Sequence, residues 1–328
     1  VNPLELLAEH SAEGFPNLFQ AREHTARRLA ETRGHLAGTD HDRDASVVFF
    51  GSWGRQELTN HSDDDWAILV AGSERSAVNP QSAQIGELLG VDGRKPGSQG
   101  VFGCAFFCQN LVERIGLDED DNKNLTRRML LLLESVAVLN KAPLDQCWDA
   151  VLEGYLDDSV KGYRPPRFLL NDMIRYWRTV CVDFVGKERA GTEEKWALRN
   201  LKLRLSRKAL FAGGLLPVLL CHRYAIGDIR PFLAESLRQP SIDRVASAFL
   251  DLGAVDAGVR AITAYDRFIG MLGDSDSRLE LERLSKAEAD DSHLFHEGKR
   301  LGADFQQGVL ALLFETSLKP LVREYGIF

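Results

Sequence analysis

The sequence predicts an α+β protein, a small mixed-sheet domain followed by an all-α helical domain. Three observations carry this. Short β-branched and aromatic runs stand at residues 46–50, 63–70 and 101–108. From Asn124 onward the apolar residues recur at helical spacing. Hydrophobic residues make up 44% of the 328, enough for a sizeable core.

Residues 4–33 read as helical, interrupted near Gly14 to Pro16 and ended by Gly34 and Gly38. After a polar connector, Ser46-Val47-Val48-Phe49-Phe50 reads as a buried strand that stops at Gly51. A polar segment follows, and a second strand is expected from Asp63 to Val70. Gly93, Pro96, Gly97, Gly100 and Gly103 mark a loop, and residues 101–108 read as a third strand. The run Met129-Leu130-Leu131-Leu132-Leu133 is apolar almost all round, which predicts a buried helix, ended by Pro143. Pro165-Pro166 open the next helix. Residues 168–185, 194–211, 243–272 and 305–325 carry further helical patterns. The expected domains are therefore 1–145, including the N-terminal helix, and 146–328.

The formal net charge of −8 argues against a dedicated duplex-DNA binder, while leaving room for a local basic pocket. Five cysteines, an odd number with no CxxC spacing, read as free thiols in a reducing cytoplasm. No run of about 18 apolar residues predicts a membrane span. The opening Val1-Asn2-Pro3 lacks a signal-peptide pattern, so a cytoplasmic protein is expected.

The chemistry concentrates between Phe50 and Trp66. A strand ends in Gly51-Ser52, where glycine allows close backbone approach and the following N–H groups and the Ser52 hydroxyl can donate to phosphate oxygens. A second strand begins Asp63-Asp64-Asp65. Strand alternation puts Asp63 and Asp65 on one face and Asp64 on the other. Two such carboxylates suit Mg²⁺ or Mn²⁺, which bridges carboxylates to substrate phosphates. Arg55 and Glu57 sit inside the segment. An ion pair that shapes the turn is the preferred reading of the two, and Arg55 also counts among the candidate nucleotide contacts.

The order strand, Gly51-Ser52, Arg55-x-Glu57, Ser62-Asp63-Asp64-Asp65 resembles the signature of the DNA polymerase β-type nucleotidyltransferase superfamily. The longer form, Gly51-Ser52-Trp53-Gly54-Arg55-Gln56-Glu57-Leu58 with Ser62-Asp63-Asp64-Asp65, looks most like the bacterial protein adenylyl- and uridylyltransferases of nitrogen control. The close match covers about twenty residues. The resemblance implies Asp63 and Asp65 as catalytic metal ligands and a nucleoside triphosphate, ATP by preference, as donor. It also implies a third carboxylate on a later strand, yet residues 101–108 contain no acid. Glu113 is the candidate for that role, with the run Asp118-Glu119-Asp120-Asp121 next.

Six basic residues and no acid lie between Lys195 and Lys208. At about 100° per residue, Lys195, Arg199, Lys202 and Ser206 form one stripe bordered by apolar residues on both sides, which suits a cleft wall better than bulk water. Family members similarly use Lys and Ser from a helix of this domain against the β- and γ-phosphates. On the preceding helix, Asp172 and Arg175 are candidates for the same cleft, and Tyr176 reads as a packing residue. Arg127 and Arg128 open the Leu-rich helix, either one near the site or on the surface. His293 and His296 lack a catalytic frame.

An active enzyme would transfer NMP, by preference AMP from ATP, to a hydroxyl on a protein side chain, an RNA end or a second nucleotide. The alternatives are a nucleotide-binding regulatory module of the same fold with little turnover, and a helical interaction protein whose motif is accidental.

Overall fold

The computed structural model describes residues 2–38, 43–72, 87, 102–156, 160–189 and 195–326. The chain forms two compact units: Arg22–Leu58 with Ser62–Ser159, and Val1–Ala21 with Thr59–His61 and Val160–Phe328. The first is α/β and the second helical, as the sequence pattern predicts.

The α/β unit is built on β1 (Ala45–Phe49), β2 (Trp66–Val70), β3 (Ala105–Phe107) and β4 (Val136–Leu139), in the order β3-β2-β1-β4. β1 runs antiparallel to both neighbours, and β2 pairs with β3 in parallel. Consecutive Val47, Val48 and Phe49 are all buried, because the central strand is covered on both faces. One face packs Val47, Phe49, Trp66, Ile68 and Val70 with Leu36 of α2 (Pro16–Leu36) and with Trp53. The chain passes from β1 through α3 (Ser52–Arg55), and from β3 through α4 (Cys108–Glu113) and α5 (Asn122–Glu134). After β4, α6 (Lys141–Tyr155) returns to pack on β1 and β2. The sequence boundary at residue 145 falls inside α6.

Several elements differ from the sequence expectation. β2 begins at Trp66 and not at Asp63, although the Phe50 N–H still donates to the Asp65 carbonyl at 2.8 Å, one step beyond the ladder. The helix expected to run to Pro143 stops at Glu134, and Val136 to Leu139 form β4 against β1. Pro143 sits instead in the first turn of α6, where its missing N–H costs nothing, behind Asn140 at φ 49°.

The helical unit opens with α1 (Pro3–Ala8), whose N-cap Asn2 accepts from the Leu4 N–H at 2.8 Å. Its main body comprises α7 (Arg167–Arg189), α8 (Trp196–Lys202), α9 (Lys208–Leu220), α10 (Ile226–Leu237), α11 (Ser241–Asp251), α12 (Val255–Gly273), α13 (Ser275–Arg283), α14 (Lys286–Ala289), α15 (His293–Glu315) and α16 (Lys319–Tyr325). Residues 212–220 of α9 are buried on every side, so α9 is the unit's central helix. α11 closes onto it at Gly213, where a Cβ would come within 2.7 Å of the Ser241 carbonyl oxygen. The helix expected over 243–272 is two helices, α11 and α12. Gly253 at φ 68° reverses the chain between them, a conformation open to glycine without strain. Among the described residues, no helix is long and apolar enough to cross a membrane.

Candidate active site

β1 delivers the chain to Gly51, whose φ of 66° and ψ of −132° lie in a region essentially reserved for glycine. The backbone turns there into α3. A Cβ at Gly51 would stand 3.2 Å from Asp65 Oδ2, so the Asp65 carboxylate lies directly over this turn. The turn is anchored from behind. A Cβ at Gly54 would stand 1.7 Å from the Glu134 carbonyl oxygen, so α3 rests backbone-to-backbone on the end of α5. The Glu57 N–H then donates to the Ser52 carbonyl at 2.8 Å, closing the loop.

Arg55 is buried, and Nε donates to Glu57 Oε2 at 2.9 Å while Nη1 donates to Glu134 Oε2. The ion pair expected between Arg55 and Glu57 is present, extended by a second buried carboxylate that the sequence did not indicate. The structure therefore places the Arg55 guanidinium among carboxylates beneath the turn.

The three aspartates separate by burial. Asp64 is buried and its Oδ1 accepts from Trp53 Nε1 at 3.1 Å, Asp63 is exposed, and Asp65 is half-buried. Asp64 thus belongs to the scaffold, and Asp63 and Asp65 stand on the solvent side. Phe50 pairs with Asp65 through its N–H, and alternation turns the Phe50 side chain away from the face that holds Phe49. The Phe50 ring meets Phe102 at 5.6 Å and Phe106 at 6.3 Å. The parallel register, Leu69 to Phe106, puts Phe106 on that same face, the contact with Phe50 puts Phe102 there, and Cys104 stands between them in the chain. None of the three is an acid. Arg127 of α5 reaches this row, its guanidinium 5.3 Å from the Phe106 ring centre and Nη2 3.1 Å from Cys104 Sγ.

Glu113 lies elsewhere. It ends α4, which leaves the end of β3 where Phe107 pairs with Val70. Val70 is five residues, about 17 Å of strand, from Asp65. Glu113 is exposed and accepts from Gln109 Nε2 at 2.8 Å, so the structure does not bring it to the aspartates. In the acidic run, Asp120 is buried against Arg128 at 2.7 Å, and Arg128 also donates to the Tyr155 hydroxyl.

The remaining sequence candidates lie in the helical unit. Lys195 precedes α8 at φ 58° and pairs with Glu282 at 3.5 Å. Arg199 and Lys202 are half-buried, and Ser206 is buried. Residues Leu203–Arg207 form a π turn, so uniform 100° spacing does not carry from Lys202 to Ser206. Asp172 is buried with Arg175 at 3.9 Å, and Tyr176 is a core residue. His296 Nε2 lies 2.7 Å from the Asp290 carbonyl.

Among the described residues, no group of three His, Cys, Asp or Glu side chains could by itself hold a metal ion. Asp65 beside the glycine turn, with the exposed Asp63 two residues before it, fits Mg²⁺, which keeps waters and takes substrate phosphates as its other ligands. No curated protein matches the chain. Residues 15–90 match the family model described as "Putative nucleotidyltransferase DUF294", so the stretch that carries the Gly51 turn, Asp63 and Asp65 is nucleotidyltransferase-like.

Proposed function

We propose that the chain is a metal-dependent nucleotidyltransferase that transfers AMP from ATP to an acceptor hydroxyl. The observation that carries this reading is the Asp65 carboxylate standing 3.2 Å from the Cβ position of Gly51. It puts an acid beside backbone that only glycine leaves open to a phosphate. In the reaction the acceptor oxygen bonds to the α-phosphorus. The bond from that phosphorus to the bridging oxygen breaks, pyrophosphate leaves, and the acceptor proton passes to solvent or a base. Bound Mg²⁺ or Mn²⁺ would supply charge neutralisation at the phosphates, held by Asp63 and Asp65. The chain's own work is positioning. Gly51 and Ser52 receive phosphate oxygens, Asp64 and Trp53 hold the aspartate segment, and Arg55 with Glu57 and Glu134 stiffens the turn. Lys195, Arg199, Lys202 and Ser206 remain candidate triphosphate contacts on the helical unit.

The likeness to the nitrogen-control enzymes favours a protein side chain as acceptor, ahead of an RNA end or a second nucleotide. The acid-free row Phe102, Cys104 and Phe106 favours a second reading, a module that binds nucleotide and turns it over little. Incubation with γ-labelled ATP and Mg²⁺, with labelled pyrophosphate resolved from ATP, decides between them. Pyrophosphate release lost in Asp63→Ala supports the enzyme, binding without release supports the module, and neither binding nor release rejects both.

A further inference from the structure

We infer that Cys108 and Cys147 form an oxidation site of the α/β unit, two thiols that hydrogen peroxide closes to a disulfide. The inference stands apart from the nucleotidyltransferase reading and uses none of its residues. Cys108 opens α4 directly after β3, and Cys147 lies midway along α6. All five cysteines are free thiols, Cys147 fully buried and Cys108 half-buried. The two side chains hydrogen-bond to each other, with the Cys147 S–H donating. A second contact fixes the same pairing of segments. Gly154 is seven residues beyond Cys147, about two helical turns along the same face of α6, and a Cβ there would stand 2.9 Å from Ile115 Cδ1. Ile115 is itself seven residues beyond Cys108. α4 and the turn after it therefore run along the α6 face that carries Cys147. Leu111, between the two contacts, is buried, and its carbonyl accepts from Arg128 Nη1 at 3.4 Å, so α5 holds this segment too.

The shared hydrogen bond holds the Cys108 thiol below the ordinary range despite its burial, while the same bond and burial push Cys147 up. Cys108 is therefore the attacking thiolate. Its sulfur takes one peroxide oxygen as the O–O bond breaks, giving a sulfenic acid and water. The Cys147 sulfur then bonds to the Cys108 sulfur, the S–O bond breaks, and hydroxide leaves with the Cys147 proton as water. Two thiols are oxidised by two electrons, and the peroxide is reduced to two waters. The new bond ties the end of β3 to α6, the helix that packs on β1 and β2.

The test treats the folded full chain with hydrogen peroxide, unfolds it in the presence of an alkylating agent, and maps the peptides by mass spectrometry without reductant. A Cys108–Cys147 cross-linked peptide is expected as the main disulfide, and dithiothreitol is expected to return both thiols. Cys108 and Cys147 both alkylated, Cys108 carried on to sulfinic acid, or a Cys104–Cys108 bond in place of the expected one overturns the inference. Cys147→Ala removes the resolving thiol, so a sulfenic-acid trap should label Cys108 about fivefold more than in the parent. Labelling of the folded variant no greater than the parent's overturns Cys108 as the attacking thiol. If Cys147→Ala does not fold, the peptide map of the parent decides by itself.

Discussion

The indole N–H of Trp53 donates to the Asp64 carboxylate at 3.1 Å, between two side chains that are both buried. Trp53 comes from the turn after β1 and Asp64 from the lead-in to β2. The bond therefore locks together the two backbone segments from which Ser52 and Asp65 project. The middle aspartate is tied into the core, while Asp63 and Asp65 on either side of it stay more exposed.

Substitutions in the aspartate run should divide accordingly. Asp64→Ala leaves the buried indole N–H without this acceptor and should cost about 1–3 kcal/mol of stability. Asp63→Asn and Asp65→Asn should leave the denaturation midpoint close to the parent and lower nucleotidyl transfer about a hundredfold or more. Chemical denaturation and pyrophosphate release, measured on the same three proteins, check both halves. Equal loss of stability in all three would contradict the division.

Two glycines should respond in opposite directions to alanine. At Gly54 the new Cβ would meet the Glu134 carbonyl oxygen at 1.7 Å, and both sides of that clash are backbone. Gly54→Ala should destabilise by about 3 kcal/mol or more, or prevent folding. Gly34 lies in the last turn of α2 with nothing within 4 Å of its Cβ position. Gly34→Ala should stabilise by about 0.5–1 kcal/mol. Urea midpoints read both changes.

Arg55 stands between Glu57 and Glu134, with all three side chains almost wholly buried. Arg55→Met would leave two carboxylates facing each other out of reach of their cation. The expected loss is about 3–5 kcal/mol. The Arg55→Met/Glu134→Gln double variant should recover part of it, since one of the two carboxylate charges is gone. A double-mutant cycle by denaturation measures that coupling.

Metal and nucleotide should act together on stability. A ligand held at one hundred times its dissociation constant raises unfolding free energy by about 2.7 kcal/mol. Mg²⁺ with α,β-methylene-ATP should therefore raise the melting temperature, and chelator should reverse it. Asp65→Asn should abolish the shift, whereas Glu113→Gln should keep it, because Glu113 lies at the far end of β3. A shift lost in Glu113→Gln would reinstate that residue.

Much of the site was readable because its parts are close in the chain. β1, the Gly51 turn and the Asp63-Asp64-Asp65 segment span about twenty residues, and alternation alone separates Asp64 from its neighbours. What was not readable depends on distant contacts. β4 follows a buried helix so closely that the apolar run from Met129 continues almost unbroken into Val138, and periodicity cannot divide it. α11 and α12 carry compatible helical spacing, so Gly253 passes for a tolerated interior glycine. Glu134 reads as the polar end of a leucine helix until Arg55 is seen against it. Arg127 and Arg128 are identical letters side by side, and only the positions of β3, Asp120 and Tyr155 tell them apart.

The π turn at Leu203–Arg207 makes the length of this part of the chain a fixed quantity. The extra residue sets the rotation of α9 about its axis relative to α8. Removing one residue there would permit an uninterrupted α-helix, yet would swing everything beyond it by about 100°. α9 tolerates such rotation along its wholly apolar middle, but Gly213 does not, since the Ser241 backbone lies against it where a Cβ would clash. Single-residue deletions across 203–207 should therefore be more damaging than substitutions at the same positions.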